Sequence, residues 1–78
     1  MGFQTIQRLK LLRIPRTKYQ IKEKWGVKSS NLNVIISRFL KKSWVLEIIR
    51  IDKVTGRTVK YYQLNPTYYD LVYKKNKK

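Results

Sequence analysis

The sequence contains no cysteine and no histidine, and only four of its 78 residues are acidic. Disulfide bonds are therefore excluded, and the usual zinc and haem ligand sets are missing. General acid–base catalysis has almost no candidate groups, and the sequence has no glycine-rich phosphate-binding loop. We therefore expect a protein that is not an enzyme and that uses no cofactor or metal.

Long hydrophobic runs are also absent, because the longest ones contain two or three residues. Such runs are too short for a membrane span or for the apolar region of a signal peptide. We expect no membrane partner and a cytoplasmic location, which the lack of cysteine also fits.

Positive charge is abundant. Nineteen lysine and arginine residues give a formal net charge of +15, while 42% of the residues are hydrophobic and 13% are aromatic. This apolar share is too high for a disordered polycation, and the length suits one small domain. We expect a folded domain over residues 1–73, a disordered basic tail at 74–78 and a polyanionic partner.

Two helices are predicted before residue 27. Apolar residues recur at helical spacing from the third residue, so the first helix is expected over about residues 3–14 and is stopped by Pro15. Thr17 is a good N-cap for the second helix, and Gln20 completes a capping-box pattern three residues later. Gly26 suits the left-handed conformation that ends many helices.

The third helix has the most regular pattern in the chain. Its cap signal lies at Ser29 and Ser30, and we expect it over about residues 30–43. The residues that share its apolar face are Leu32, Ile35, Ile36, Phe39 and Leu40. This face is predicted to be buried, which leaves a polar and basic face exposed.

A β-hairpin is predicted after the third helix. Residues 45–51 and 58–64 are rich in β-branched and aromatic side chains, and Gly56 suits the turn between them. Because Glu47 shares a side of the strand with Ile49 and Ile51, the pattern does not assign the buried face. A short helix through residue 73 follows, and its tyrosines either cap the core or make a dimer contact.

This order of elements resembles that of winged helix-turn-helix DNA-binding domains. The residues that carry the resemblance are Thr17, Ile21, Trp25, Gly26 and Val27, then Leu32, Ile36, Phe39 and Ser43-Trp44-Val45, then the stretch from Gly56 to Pro66. The match covers roughly residues 6–66 and implies an α+β fold of three helices, a hairpin wing and a short C-terminal helix. The basic, alanine-free composition also resembles that of small transcriptional regulators from archaeal plasmids and viruses.

The sequence departs from the family at the end of the third helix. The family usually has a glycine just before the wing, whereas Lys42-Ser43 stands there in this chain. We therefore expect a tighter or less left-handed helix end.

The resemblance implies that the third helix enters the major groove of DNA. The residues that would approach bases or flanking phosphates are Lys28, Ser29, Ser30, Asn31, Asn33, Val34, Ser37, Arg38, Lys41 and Lys42. Asparagine pairs with adenine, and Val34 suits a thymine methyl group. A solvated polar face with no partner is the simpler interpretation of the same residues.

Two further groups of residues are candidates for DNA contact. Lys53, Arg57 and Lys60 lie on the predicted wing, although charge at a sheet edge also discourages aggregation. Thr17, Lys18 and Tyr19 open the second helix, where backbone N–H groups suit a phosphate, although Thr17 also serves as a plain N-cap.

The sequence thus predicts a protein that binds double-stranded DNA in a sequence-specific manner, with two protomers on each operator. Its expected role is that of a transcriptional regulator that acts by occupying a promoter. When bound to DNA, it is expected to be associated with the nucleoid. A non-specific nucleic-acid packaging or RNA-binding protein is the alternative, because counterion release alone drives such binding. The sequence favours no small-molecule ligand.

Overall fold

A computed structural model describes residues 2–73 of the chain. The elements in this range are α1 (Phe3–Leu11), α2 (Lys18–Trp25), α3 (Ser29–Lys41), β1 (Val45–Ile51), β2 (Thr58–Leu64), a 3-10 helix (Pro66–Tyr68) and α4 (Tyr69–Tyr73). The two strands form one antiparallel hairpin, so the expected α+β class is confirmed. The expected tail at 74–78, like residue 1 of the expected domain, lies outside the described residues.

Helix α1 ends at Leu11, three residues before the predicted end. A final tight turn follows, in which the Leu12 amide donates to the Leu9 carbonyl. The chain then leaves the helical path because it pairs with β2. The Leu64 amide donates to the carbonyl of Leu12, and Arg16 pairs with Tyr62 in an isolated antiparallel bridge.

Helix α2 begins and ends as predicted. The Gln20 amide donates to the Thr17 hydroxyl at 3.2 Å, and the Thr17 amide donates to the Gln20 side-chain oxygen at 3.1 Å, which completes the capping box. Gly26 closes the helix with a φ of 65°, in the left-handed region that glycine enters without steric cost.

Helix α3 begins one residue early, and the predicted serine cap is wrong. Lys28 occupies the N-cap position and makes no side-chain cap hydrogen bond, while Ser29 is already helical. The predicted apolar face is confirmed, because Leu32, Ile36 and Phe39 are buried.

The end of α3 also differs from the expectation, because Ser43 is fully left-handed with a φ of 62°. The Ser43 amide donates to the Leu40 carbonyl, and the Trp44 amide donates to the Phe39 carbonyl. This pair of bonds is a Schellman motif, and the rings of Phe39 and Trp44, 5.7 Å apart, supply its apolar contact. The motif satisfies two helix-end carbonyls, which offsets the strain in a residue that has a Cβ.

The hairpin begins on the core and extends beyond it. At its base Val45 pairs with Leu64, and both are buried together with Tyr62. The buried side of the base is therefore the one that carries Val45 and Tyr62. The turn is closed by Gly56 at a φ of 73°, and beside it Val54 is 92% exposed.

A single core joins the helices to the base of the hairpin. The buried residues are Leu9, Leu12, Ile21, Leu32, Ile36, Phe39, Val45, Tyr62, Leu64 and Val72. Partly buried side chains surround this core, including Trp25, Trp44 and the tyrosines of the C-terminal segment. In residues 2–73, no helix combines the length and apolar character needed to cross a bilayer.

Candidate nucleic-acid interface

The outward face of α3 is mostly polar, and its last turn carries two cations. The exposed residues of this helix that were predicted to contact DNA are Ser29, Ser30, Asn31, Asn33, Val34, Ser37, Arg38 and Lys41. The helix contains no acidic residue. Because the opposite face forms the core, α3 is held rigidly while these side chains remain accessible.

The start of α2 lies beside this face. The Lys18 ammonium donates to the side-chain oxygen of Asn33 at 2.9 Å, which joins α2 to α3. An open groove of about 340 Å³ runs between the two helices. The residues that line it are Lys18, Tyr19, Lys22, Ser29, Leu32 and Asn33. Four of these residues were predicted site residues, so the structure brings them together.

Lys22 was missed as a candidate. It lies one helical turn after Lys18 and lines the same groove. The spacing of four residues within α2 is the sequence signal that connects the two lysines, because residues i and i+4 share a helix face.

Thr17 has a structural role in the described chain. Its hydroxyl and its amide both take part in the capping box, and its side chain is half-buried. Thr17 therefore positions the first turn of α2, which carries the exposed side chains of Lys18 and Tyr19.

The predicted cations of the hairpin fall into two groups. Lys53 and Arg57 are exposed at the turn, and within residues 2–73 no hydrogen bond or ion pair connects them to α3. Lys60 lies lower on β2, where its ammonium is 3.9 Å from a carboxylate oxygen of Glu47. The charge of Lys60 is thus partly compensated, whereas within residues 2–73 neither Lys53 nor Arg57 forms an ion pair.

Glu47 also accepts a hydrogen bond from the hydroxyl of Tyr62, at 3.0 Å. Burial of Tyr62, together with this bond and the negative charge of Glu47, raises the pKa of the phenol to about 12. The ring of Tyr62 lies 5.7 Å from the Lys18 ammonium. A continuous set of polar contacts therefore extends from the hairpin through Tyr62 and Lys18 to Asn33.

Two remaining candidates flank α3. Lys28 is exposed at its N-cap position, and Lys42 is exposed just past its last turn. The Lys42 ammonium lies 5.2 Å from the centroid of the Trp44 ring, which holds this charge near the junction with β1.

Near the end of α1, two exposed cations lie against aromatic rings of α4. The guanidinium of Arg13 lies 5.8 Å from the ring of Tyr69 and 5.3 Å from that of Tyr73. The Tyr73 hydroxyl donates to the carbonyl of Lys10 at 2.9 Å. These contacts fasten α4 onto α1, so the tyrosines of the last helix cap the core.

No protein-family model matches this chain, and a search of curated proteins finds no significant match.

Proposed function

We propose that this chain is a winged-helix protein that binds double-stranded DNA in a sequence-specific manner. The observation that carries the proposal is the exposed face of α3, where short polar side chains are followed by cations in the last turn and no acid occurs. The major groove is wide enough to admit an α-helix and presents a distinct donor and acceptor pattern for each base pair.

The residues of this face divide into two roles. Asn33, Val34 and Ser37 are short and lie near the middle of the exposed side, so they are suited to base edges. Arg38 and Lys41 are longer and lie toward the C-terminal end, so they are suited to flanking phosphates. Phosphate contacts fix the register of the helix, and base contacts then supply the specificity.

The hairpin supports this arrangement as a wing. Its distal part lies outside the core, and the exposed side chains of Lys53 and Arg57 are at its tip. A guanidinium is attracted to the negative potential of a narrow minor groove. In the proposed complex the tip contacts the backbone or minor groove next to the site of α3.

The proposed cellular role is transcriptional regulation by promoter occupancy. One winged helix spans only a few base pairs, so we propose two protomers on half-sites one helical turn apart. Footprinting on the DNA next to the gene for this chain tests this role. Protection of two half-sites on one face of the duplex is the expected result, and protection of a single short site contradicts it.

Selection of bound sequences from a random duplex pool tests the proposed specificity. We expect an enriched motif, and we expect Ser37→Ala to weaken binding to that motif by about 1–3 kcal/mol, while binding to a scrambled duplex changes little. Lys41→Ala is the matched control, because loss of a phosphate contact weakens both duplexes equally.

The same experiment separates the proposal from nucleic-acid packaging. A packaging protein is displaced equally well by unrelated DNA, enriches no motif and responds to Ser37→Ala and Lys41→Ala in the same way. These three results together would replace sequence-specific binding with binding driven by counterion release.

A further inference from the structure

The contact between Lys18 and Asn33 fixes the orientation of a side chain on the exposed face of α3. Lysine has three N–H donors and no acceptor, so only the oxygen of the Asn33 amide can face it. The distance of 2.9 Å between Lys18 Nζ and Asn33 Oδ1 is that of a formed hydrogen bond. The Asn33 amide therefore presents its NH₂ group to an incoming partner.

Lys18 is itself held in place. Its ammonium lies 5.7 Å from the centroid of the Tyr62 ring, and the hydroxyl of Tyr62 is bonded to Glu47. Tyr62 is 3% exposed and belongs to the core, so it is a rigid support. The ammonium is thus restrained by an aromatic ring on one side and by the Asn33 oxygen on another.

The pair consequently offers donors only. Lys18 has two N–H groups beyond the one that it gives to Asn33, and the Asn33 amide has two more. Asparagine recognises adenine by accepting from N6 while donating to N7, which requires a free oxygen. Here that oxygen already receives an ammonium, and the positive charge opposes the approach of a second donor from a base.

We propose that Lys18 and Asn33 act together as a guanine-reading pair, with Lys18 as the residue that determines the specificity. Guanine presents two acceptors, N7 and O6, on its major-groove edge, which matches a surface made only of donors. This inference rests on the proposed binding of duplex DNA by α3. It predicts guanine at the position where Asn33 alone would select adenine.

Selection from a random duplex pool, carried out with four proteins, tests the pair. Asn33→Ala identifies the base position, because the preference at that position alone disappears. We expect the wild-type protein to prefer guanine there by about tenfold. Lys18→Met keeps the length of the side chain and its packing on Tyr62, but frees the Asn33 oxygen, so the preference is expected to change to adenine.

Lys24→Met is the matched control, because it removes the same charge from the same helix, and Lys24 does not line the groove between α2 and α3. We expect it to leave the guanine preference intact. The readout is a ratio of affinities for two bases, which a smaller folded fraction of protein does not alter.

The outcomes distinguish this inference from the function on which it rests. If the wild-type protein enriches no motif, sequence-specific binding is wrong and the pair is wrong with it. If a motif is enriched but Lys18→Met retains the base chosen by the wild type, DNA recognition stands and the guanine-reading pair is overturned. Adenine at the Asn33 position of the wild-type motif overturns it as well.

Discussion

Ser43 has a left-handed backbone conformation that is usually found at glycine. In residues 2–73 it is the only residue other than glycine with a positive φ. Ser43→Gly is expected to stabilise the fold by about 1 kcal/mol, because the left-handed conformation costs a residue with a Cβ roughly 1–2 kcal/mol, and the greater freedom of glycine in the unfolded chain offsets part of this gain. Chemical denaturation measures the change.

Gly26→Ala is the reciprocal control, because Gly26 has the same left-handed conformation at the end of α2, with a φ of 65°. It is expected to destabilise the protein by about 1–2 kcal/mol. Loss of stability in Ser43→Gly would mean that the serine side chain contributes more than its backbone strain costs.

The raised pKa of the Tyr62 phenol predicts how the free energy of unfolding changes with pH in alkaline solution. In the folded protein the pKa of the Tyr62 phenol is raised to about 12, above the ordinary tyrosine value of 10.0. Between these values the folded state binds more protons than the unfolded state, so the stability from this group is complete below pH 10 and is lost as the pH rises toward 12.

The variant Tyr62→Phe isolates this effect. We expect the free energy of unfolding of the wild-type protein to fall more steeply than that of the variant between pH 10 and pH 12. Ultraviolet absorbance should also lose its most alkaline tyrosinate transition in the variant. Identical pH dependence of the two proteins would contradict the link between Tyr62 and alkaline stability.

At the scale of the element, Thr17 caps α2 as predicted, whereas Ser29 does not cap α3. A pair of variants tests this difference. Thr17→Ala is expected to cost about 1 kcal/mol, because it removes the hydroxyl that accepts from the Gln20 amide. Ser29→Ala is expected to cost less than about 0.5 kcal/mol, because Ser29 lies inside α3 and does not cap it. Thermal denaturation of both variants makes the comparison, and equal costs would contradict it.

The predictable parts of the fold are those with a local cause. The capping box at Thr17, the helix end at Gly26 and the turn at Gly56 all follow from chemistry within a few residues. The early end of α1 does not, because it depends on the pairing of Arg16 with Tyr62, 46 residues later in the chain.

The candidate site also has features that the sequence predicts and features that it does not. The exposed face of α3 follows from helical periodicity alone, and the structure confirms that Asn33 and Ser37 are exposed. The contact of Lys18 with Asn33 and that of Lys60 with Glu47 depend on how separate elements pack. The sequence pattern therefore finds the surface, but it misses which side chains on that surface are already engaged.

At the scale of the whole molecule, positive charge serves two purposes. The molecule measures 49 × 25 × 21 Å. Lys10 in α1 and Arg13 just after it are exposed, but their charged groups lie against aromatic rings of α4, so these cations stabilise the fold. At α3 and the tip of the hairpin, Lys41, Lys53 and Arg57 are also exposed, but within residues 2–73 they form neither a cation–π contact nor an ion pair.

This division makes a prediction about the salt dependence of the proposed DNA binding. Each phosphate contact that is lost lowers the magnitude of the slope of log K against log salt by about 0.9. The double variant Lys53→Ala/Arg57→Ala should therefore lower it by about 2, because both side chains are exposed at the hairpin tip. Lys10→Ala/Arg13→Ala removes the same net charge from side chains that lie against the rings of α4, and it should change the slope by less than about 0.5. Binding titrations at several salt concentrations compare the two variants with the wild-type protein. Equal changes in slope would show that total charge governs binding, because a defined interface requires the position of each cation to matter.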